Sequence, residues 1–121
     1  MSASEQARFG LLYLNGGRWK GEQLLPPGWA EDAMAVQVPP TIPVADTDRR
    51  TTDGSGKYGY NWWVISEPVH AAFTSGLNHN VCLVVPEWNL VIVRMGTDGN
   101  PEAGKFGVYS EVLRRLAGGL E

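Results

Sequence analysis

Residues 71–96 read AAFTSGLNHNVCLVVPEWNLVIVRMG, and the parsing of this stretch decides the fold. Val81-Cys82-Leu83-Val84-Val85 and Leu90-Val91-Ile92-Val93 are rich in β-branched residues, which pack well on a pleated surface. Pro86-Glu87-Trp88-Asn89 between them is long enough for a turn and nothing more, so the two runs predict adjacent antiparallel strands. Ahead of them stands a polar cluster, Thr74-Ser75-Gly76 followed by Asn78-His79-Asn80. Ser, Gly and Asn are residues that tight turns favour, so the cluster has a reading as turn chemistry. A hydroxyl, a glycine, two amides and an imidazole at the mouth of an apolar hairpin also have a reading as a piece of an active site.

Working outward, Tyr58-Gly59-Tyr60-Asn61-Trp62-Trp63-Val64-Ile65 is aromatic and β-branched and predicts another strand, with a further one over 71–75. At the N-terminus, Ser2 and Glu5 have the spacing of a capping box. Ala7, Leu11 and Leu14 then recur at helical spacing, Phe9, Leu12 and Tyr13 widen the apolar face, and Asn15-Gly16-Gly17 ends the helix. In RWKGEQLL, Gly21 marks a turn, and Pro26-Pro27 suits the first turn of a brief second helix over 28–34. Near the C-terminus, Tyr109, Val112, Leu113 and Leu116 fall at i, i+3, i+4 and i+7 and predict a helix ending at Gly118-Gly119. Helices at both ends around an antiparallel meander make an α+β layered sandwich, an antiparallel sheet packed with N- and C-terminal helices.

At 121 residues the chain reads as a single domain, 1–121, with room for one core. A formal charge of −3 and no basic stripe argue against a nucleic-acid partner. Arg49-Arg50 and Arg114-Arg115 read as solvated pairs. No stretch approaches the ~18 apolar residues a membrane span needs. MSASEQARFG lacks the basic-then-apolar layout of a secretion signal, so the chain as given reads as cytoplasmic, or as a piece cut from something longer. The one cysteine, Cys82, lies between Val81 and Leu83 and reads as a buried structural thiol. Residues 37–57 carry prolines, glycines and aspartates with little to bury, and read as a solvated loop open to proteolysis.

His70 and His79 are the only histidines and have no cysteine or carboxylate ligand pattern beside them, so no metal site and no cofactor are expected. Ser75, His79 and an aspartate supply the letters of a triad, but no Gly-x-Ser-x-Gly elbow is present. Of Trp62 and Trp63, adjacent strand residues face opposite sides, so at most one lines a given pocket and the other anchors the core.

In order along the chain, SASEQARFGLLYLNGGRWKGEQLLPPGW, YGYNWWV and FTSGLNHNVCLVVPEWNLVIVRMG resemble the later part of serine β-lactamase-like hydrolases. That family includes class C β-lactamases, penicillin-binding-protein-related esterases and 6-aminohexanoate-oligomer hydrolases. The resemblance covers nearly the whole chain. It implies a partial β-lactamase/transpeptidase-like fold in which the third active-site motif, Lys-Thr-Gly or a variant, lies on a strand edging the cleft. A backbone N–H of that strand helps form the oxyanion hole. Carried over, Thr74 stands at the Lys position, Ser75 at the Thr and Gly76 at the Gly, with Asn78 and His79 on the cleft rim. Thr74 departs from the pattern, since it has no ammonium to bind a substrate carboxylate.

The family's nucleophile is the Ser of a Ser-x-x-Lys, activated by that Lys and by a Tyr of Tyr-x-Asn. Ser-x-x-Lys occurs nowhere here, and Tyr13-Leu14-Asn15 closes a helix before a Gly-Gly cap, so no catalytic set is complete. The resemblance puts the missing parts upstream of Met1. The chain is thus expected to be a truncated or partial serine hydrolase, inactive alone, with a small-molecule ester or amide as the class of ligand. The alternative is a stand-alone binding or oligomeric interaction module derived from that fold. In the family fold earlier strands pair alongside the strand that 90–95 resembles, so the resemblance implies that this apolar strand is a bare sheet edge here and the chain a homo-oligomer, a dimer.

Overall fold

The apolar runs of residues 71–96 form the heart of a four-stranded antiparallel sheet in the computed structural model, which describes residues 1–39, 41–43, 57–97 and 108–120. In chain order the elements are α1 (Ala3–Leu14), β1 (Arg18–Trp19), β2 (Glu22–Gln23), α2 (Trp29–Ala33), β3 (Trp63–Ile65), β4 (Ala71–Gly76), β5 (Asn80–Val85), β6 (Leu90–Arg94) and α3 (Val108–Leu120). β3, β4, β5 and β6 lie side by side in that order, and β1 with β2 forms a separate two-stranded ribbon. The chain is α+β, as the sequence predicts.

Alternation along the strands sorts the side chains onto two faces. Ile65, Ala71, Phe73, Val81, Leu83 and Val85 make one buried cluster with Leu113 of α3. Ala72, Cys82 and Val84 make the other with Trp62, and Tyr13 and Leu14 of α1 pack against it. The sheet is therefore sandwiched between α1 and α3, which explains why β5 reads NVCLVV with no polar alternation after Asn80. A strand covered on both faces carries apolar residues at every position.

Small residues set the spacing on the α1 side. Gly10 is the buried residue of α1, and a Cβ there would lie 2.7 Å from Cys82 Sγ and 2.8 Å from Val91 Cγ1. The helix axis can thus run directly over β5 and β6. Ser2 and Glu5 form the expected capping box, the Ser2 N–H donating to Glu5 Oε2 at 2.6 Å and the Glu5 N–H to Ser2 Oγ at 3.2 Å. The Ser2 backbone N–H, followed by its hydroxyl, holds the Glu5 carboxyl below its ordinary range. In the β1–β2 ribbon Lys20 and Gly21 take φ of 49° and 83°, the paired positive values of a type I′ turn.

Three expectations are corrected. The strand expected over 58–65 is ordered as a strand only from Trp63. Tyr58 forms an isolated bridge to Trp63, and the intervening residues turn back, with Asn61 at φ 64°. The Gly59 N–H donates to the Trp62 carbonyl at 2.8 Å and closes the turn, the Tyr60 N–H ties it to α2 through the Ala33 carbonyl at 3.0 Å, and Gly59 lies so close to α2 that a Cβ would meet that same oxygen. The prolines expected in the first turn of α2 instead precede it, and Gly28 at φ 83° makes the N-cap. α3 runs through Gly118 and Gly119 to Leu120. Its covered side is Tyr109, Ser110, Leu113 and Ala117, while Val112 and Leu116 remain 39% and 36% exposed.

Arg114 and Arg115 are solvated, as expected, and flank Glu111. The Arg115 Nε–H donates to Glu111 Oε1 at 2.9 Å and is the chief cause of a lowered Glu111 carboxyl pKa. Of the loop expected over 37–57, residues 40 and 44–56 lie outside the described residues.

Candidate functional site

Thr74, Ser75 and Gly76 occupy the last three positions of β4. The ladder between β3 and β4 pairs Trp63 with Phe73, Val64 with Ala72 and Ile65 with Ala71, and stops there. On the other side β4 stays paired with β5 to its end, Thr74 opposite Cys82, Ser75 opposite Val81 and Gly76 opposite Asn80. Among the described residues these three are thus the part of β4 that has a sheet neighbour on one side alone.

Their side chains part ways. Thr74 points to the α1 face, where its Oγ1 accepts from the Cys82 N–H at 3.2 Å and from Gln6 Nε2 at 3.4 Å. Its hydroxyl joins α1 to the middle of the sheet. Ser75 shares the α3 face with Phe73 and, half-buried, makes no side-chain hydrogen bond among the described residues. No base stands against its Oγ.

Asn78 and His79 form the β4–β5 connection with Leu77, a single 3-10 turn over Leu77–His79. Both take left-handed backbone conformations, φ 61° and 54°, uncommon for residues other than glycine. Hydrogen bonds from outside the turn hold them. Arg94 Nη1 donates to the Asn78 carbonyl and, at 3.0 Å, to that of His79, and Nη2 donates to the Thr97 carbonyl at 3.4 Å. Asn80 completes the bracket, its Nδ2 donating to the Leu77 carbonyl at 2.7 Å and its Oδ1 accepting from the Gly96 N–H at 2.8 Å. The His79 ring is held from the other layer, its Nδ1 sharing a hydrogen bond with the Tyr109 hydroxyl of α3 at 3.0 Å. The Tyr109 ring in turn packs on Phe73, 4.7 Å between centroids.

The structure therefore brings Ser75, His79 and Tyr109 to one face and turns Thr74 to the other. Ser75 and His79 are not hydrogen-bonded to one another. Three groups hold the turn, Arg94, Asn80 and Tyr109; sequence reading had Asn80 in the polar cluster and missed Arg94 and Tyr109. Arg94 carried a signal, as the single charge closing an apolar strand. Tyr109 carried none beyond its place on an amphipathic face.

The other candidates resolve simply. Tyr13 of Tyr13-Leu14-Asn15 packs on Trp62 at 4.8 Å between centroids, and Asn15 caps α1. Trp62 is buried in the α1-side cluster and Trp63 packs on the α3 side against Tyr58, so the pair does face opposite ways. Burial pushes the Cys82 thiol up to about 11, as befits a structural residue. Among the described residues no group of three or more His, Cys, Asp or Glu is placed to hold a metal ion.

No protein-family model matches the chain, and no curated protein sequence matches it. Among the described residues no helix is long and apolar enough to cross a membrane.

Proposed function

We propose that this chain is the sheet portion of a serine β-lactamase-like hydrolase, supplying one wall of the cleft and silent as a catalyst by itself. The observation that carries the reading is the open side of β4 at Thr74, Ser75 and Gly76, beside a turn bracketed by Arg94, Asn80 and Tyr109. A short unpaired strand end offers backbone N–H and C=O groups to an amide or ester carbonyl, the way an added strand is bound. The turn beside it is held by these hydrogen bonds, which suits a cleft rim. Silence follows from the absence of Ser-x-x-Lys and from an unactivated Ser75, with no general base to generate a nucleophile near neutral pH. Cytoplasmic placement belongs to the same reading.

Two measurements test it. Amide chemical shifts, followed while a small amide such as phenylacetamide is added to high-millimolar concentration, are expected to move at residues 74–80 and not across β6. Nitrocefin and p-nitrophenyl acetate are expected to hydrolyse at the buffer rate, and a fluorophosphonate probe to leave the chain unlabelled. Turnover abolished by Ser75→Ala, or shifts confined to other parts of the chain, would refute the reading.

A second reading, a self-associating interaction module derived from the same fold, is favoured by a different observation. Among the described residues β6 pairs with β5 alone.

A further inference from the structure

The two edges of the sheet are finished differently. On the β3 side the chain folds back over the edge, the Val64 N–H donating to the Lys57 carbonyl at 2.9 Å and Tyr58 bridging to Trp63. On the β6 side Leu90, Val91, Ile92 and Val93 have β5 as their sheet neighbour and no other hydrogen-bonding partner among the described residues. β6 also lacks the lysine, proline or bulge by which natural edges avoid pairing.

The helix above this edge is unfinished on the same side. Gly10 sits over Cys82 and Val91. On one flank of Gly10, Gln6 reaches Thr74 of β4, and Phe9 and Tyr13 pack on Trp62, the residue before β3. The opposite flank, at helical spacing, is Ala7 and Leu11, which therefore lies on the β6 side. Leu11 is 39% exposed. Among the described residues, the edge formed by Leu90–Val93 has no second sheet neighbour, and it lies on the same side as the partly exposed helix flank at Leu11, so the two form one apolar border.

We propose that this border is a homodimer interface in which the β6 strands of two copies pair antiparallel about a two-fold axis at Ile92. A two-fold perpendicular to the sheet sets Ile92 against Ile92 of the second copy, Val91 against Val93 and Leu90 against Arg94. Each pair then lies on one face of the joined sheet. Like charges stay apart, because the two Arg94 residues sit at opposite ends of the ladder, about 14 Å from each other at ~3.4 Å per residue. That exceeds the ~8 Å screening length at physiological salt. Arg94 is moreover turned back onto the Asn78, His79 and Thr97 carbonyls.

A second copy fits this border better than a single added strand does. A lone strand would satisfy the edge and leave Leu11 wet, whereas a second copy brings its own α1 alongside. A five-residue ladder is also short for the ~1,200 Å² that stable interfaces bury, so the helix flanks have to contribute. This inference rests on the self-association reading and is independent of the cleft-wall reading, whose ligand shifts at residues 74–80 are measured on a different surface.

The test is sedimentation equilibrium of the whole chain from low to high micromolar concentration, with two variants. The wild type is expected to be a dimer. Leu11→Arg, on an exposed flank, is expected to weaken association at least tenfold while leaving the dilute-solution unfolding curve cooperative. Ile92→Cys, in a chain whose one native cysteine is buried, is expected to oxidise to a covalent dimer because directly opposed residues stand within disulfide reach. Glu22→Cys on the remote ribbon is expected to stay monomeric under the same oxidant. A wild type that remains monomeric at high micromolar concentration overturns the proposal, as does association beyond two copies. So does a dimer that withstands Leu11→Arg and fails to cross-link at residue 92, since it would use another surface.

Discussion

Gly10→Ala pits two effects of known size against each other. In an exposed helix interior the change is favourable by roughly 0.5–1 kcal/mol, because alanine loses less backbone freedom on folding. At Gly10 the new methyl would lie 2.7 Å from Cys82 Sγ, 2.8 Å from Val91 Cγ1 and 3.5 Å from Val84 Cγ2. The first two are well inside van der Waals contact. Neither neighbour is the loose end of a long chain, since Val91 is β-branched and both sit on paired strands. The relief left is to lift α1 off the sheet, and such overpacking costs typically ~1–3 kcal/mol. The steric effect wins, with a net loss of about 0.5–2 kcal/mol, or roughly 2–8 °C in Tm for a chain of this size. Thermal unfolding followed by circular dichroism reads it directly. Gly118→Ala in α3 is the control, because a Cβ there meets nothing within 4 Å and the helix preference acts alone. It should be neutral or slightly stabilising. Gly10→Ala with Val91→Ala should cost less than the sum of the two single changes, since one removes the atom the other strikes. A Gly10→Ala variant as stable as wild type would refute the view that glycine sets the helix–sheet spacing.

Arg94→Ala removes the donors that hold the Asn78 and His79 carbonyls. It should cost about 1–2 kcal/mol and speed amide exchange at residues 77–80 more than across β5. Cys82 should resist Ellman's reagent in the native state at pH 8 and react fully on unfolding. Its folded pKa is raised above that of the unfolded thiol, so the unfolded chain gives up its proton first, and stability should fall as pH rises from about 9 toward about 11. Glu5 titrates with the opposite sign, because its folded carboxyl is held low by Ser2. The stability of the capping box should be complete above the ordinary carboxylate range and vanish as pH drops through the depressed value, a dependence that Glu5→Gln removes.

Much of the fold could be read in advance, because burial on two faces leaves a plain record. Val81-Cys82-Leu83-Val84-Val85 is apolar throughout, and the structure places it second from the β6 edge with a helix on each side. The capping box was legible because it depends on residues three apart and nothing else. The misreadings share a cause, which is tertiary contact acting on a locally ambiguous stretch. Residues 58–62 have strand composition, yet the Tyr60 N–H is taken by the Ala33 carbonyl of α2 and the Gly59 N–H by the Trp62 carbonyl, which makes a turn instead. Val112 and Leu116 fit a helical stripe, yet the sheet covers the flank carrying Ser110 and Ala117 instead.

The polar cluster before β5 was harder, because its residue types serve turns and active sites alike. The hydrogen bonds divide the two uses. Thr74 Oγ1 is occupied by Cys82 and Gln6, Asn80 by Leu77 and Gly96, and His79 Nδ1 by Tyr109. Each of these side chains therefore shapes the hairpin end, and turn chemistry accounts for their presence. Ser75 is left with an unengaged hydroxyl, and the backbone of residues 74–76 with an open side. On the proposed cleft-wall reading, what the cluster has to offer a ligand is main-chain polarity at the strand end and one hydroxyl beside it, a combination for binding a carbonyl group rather than attacking one.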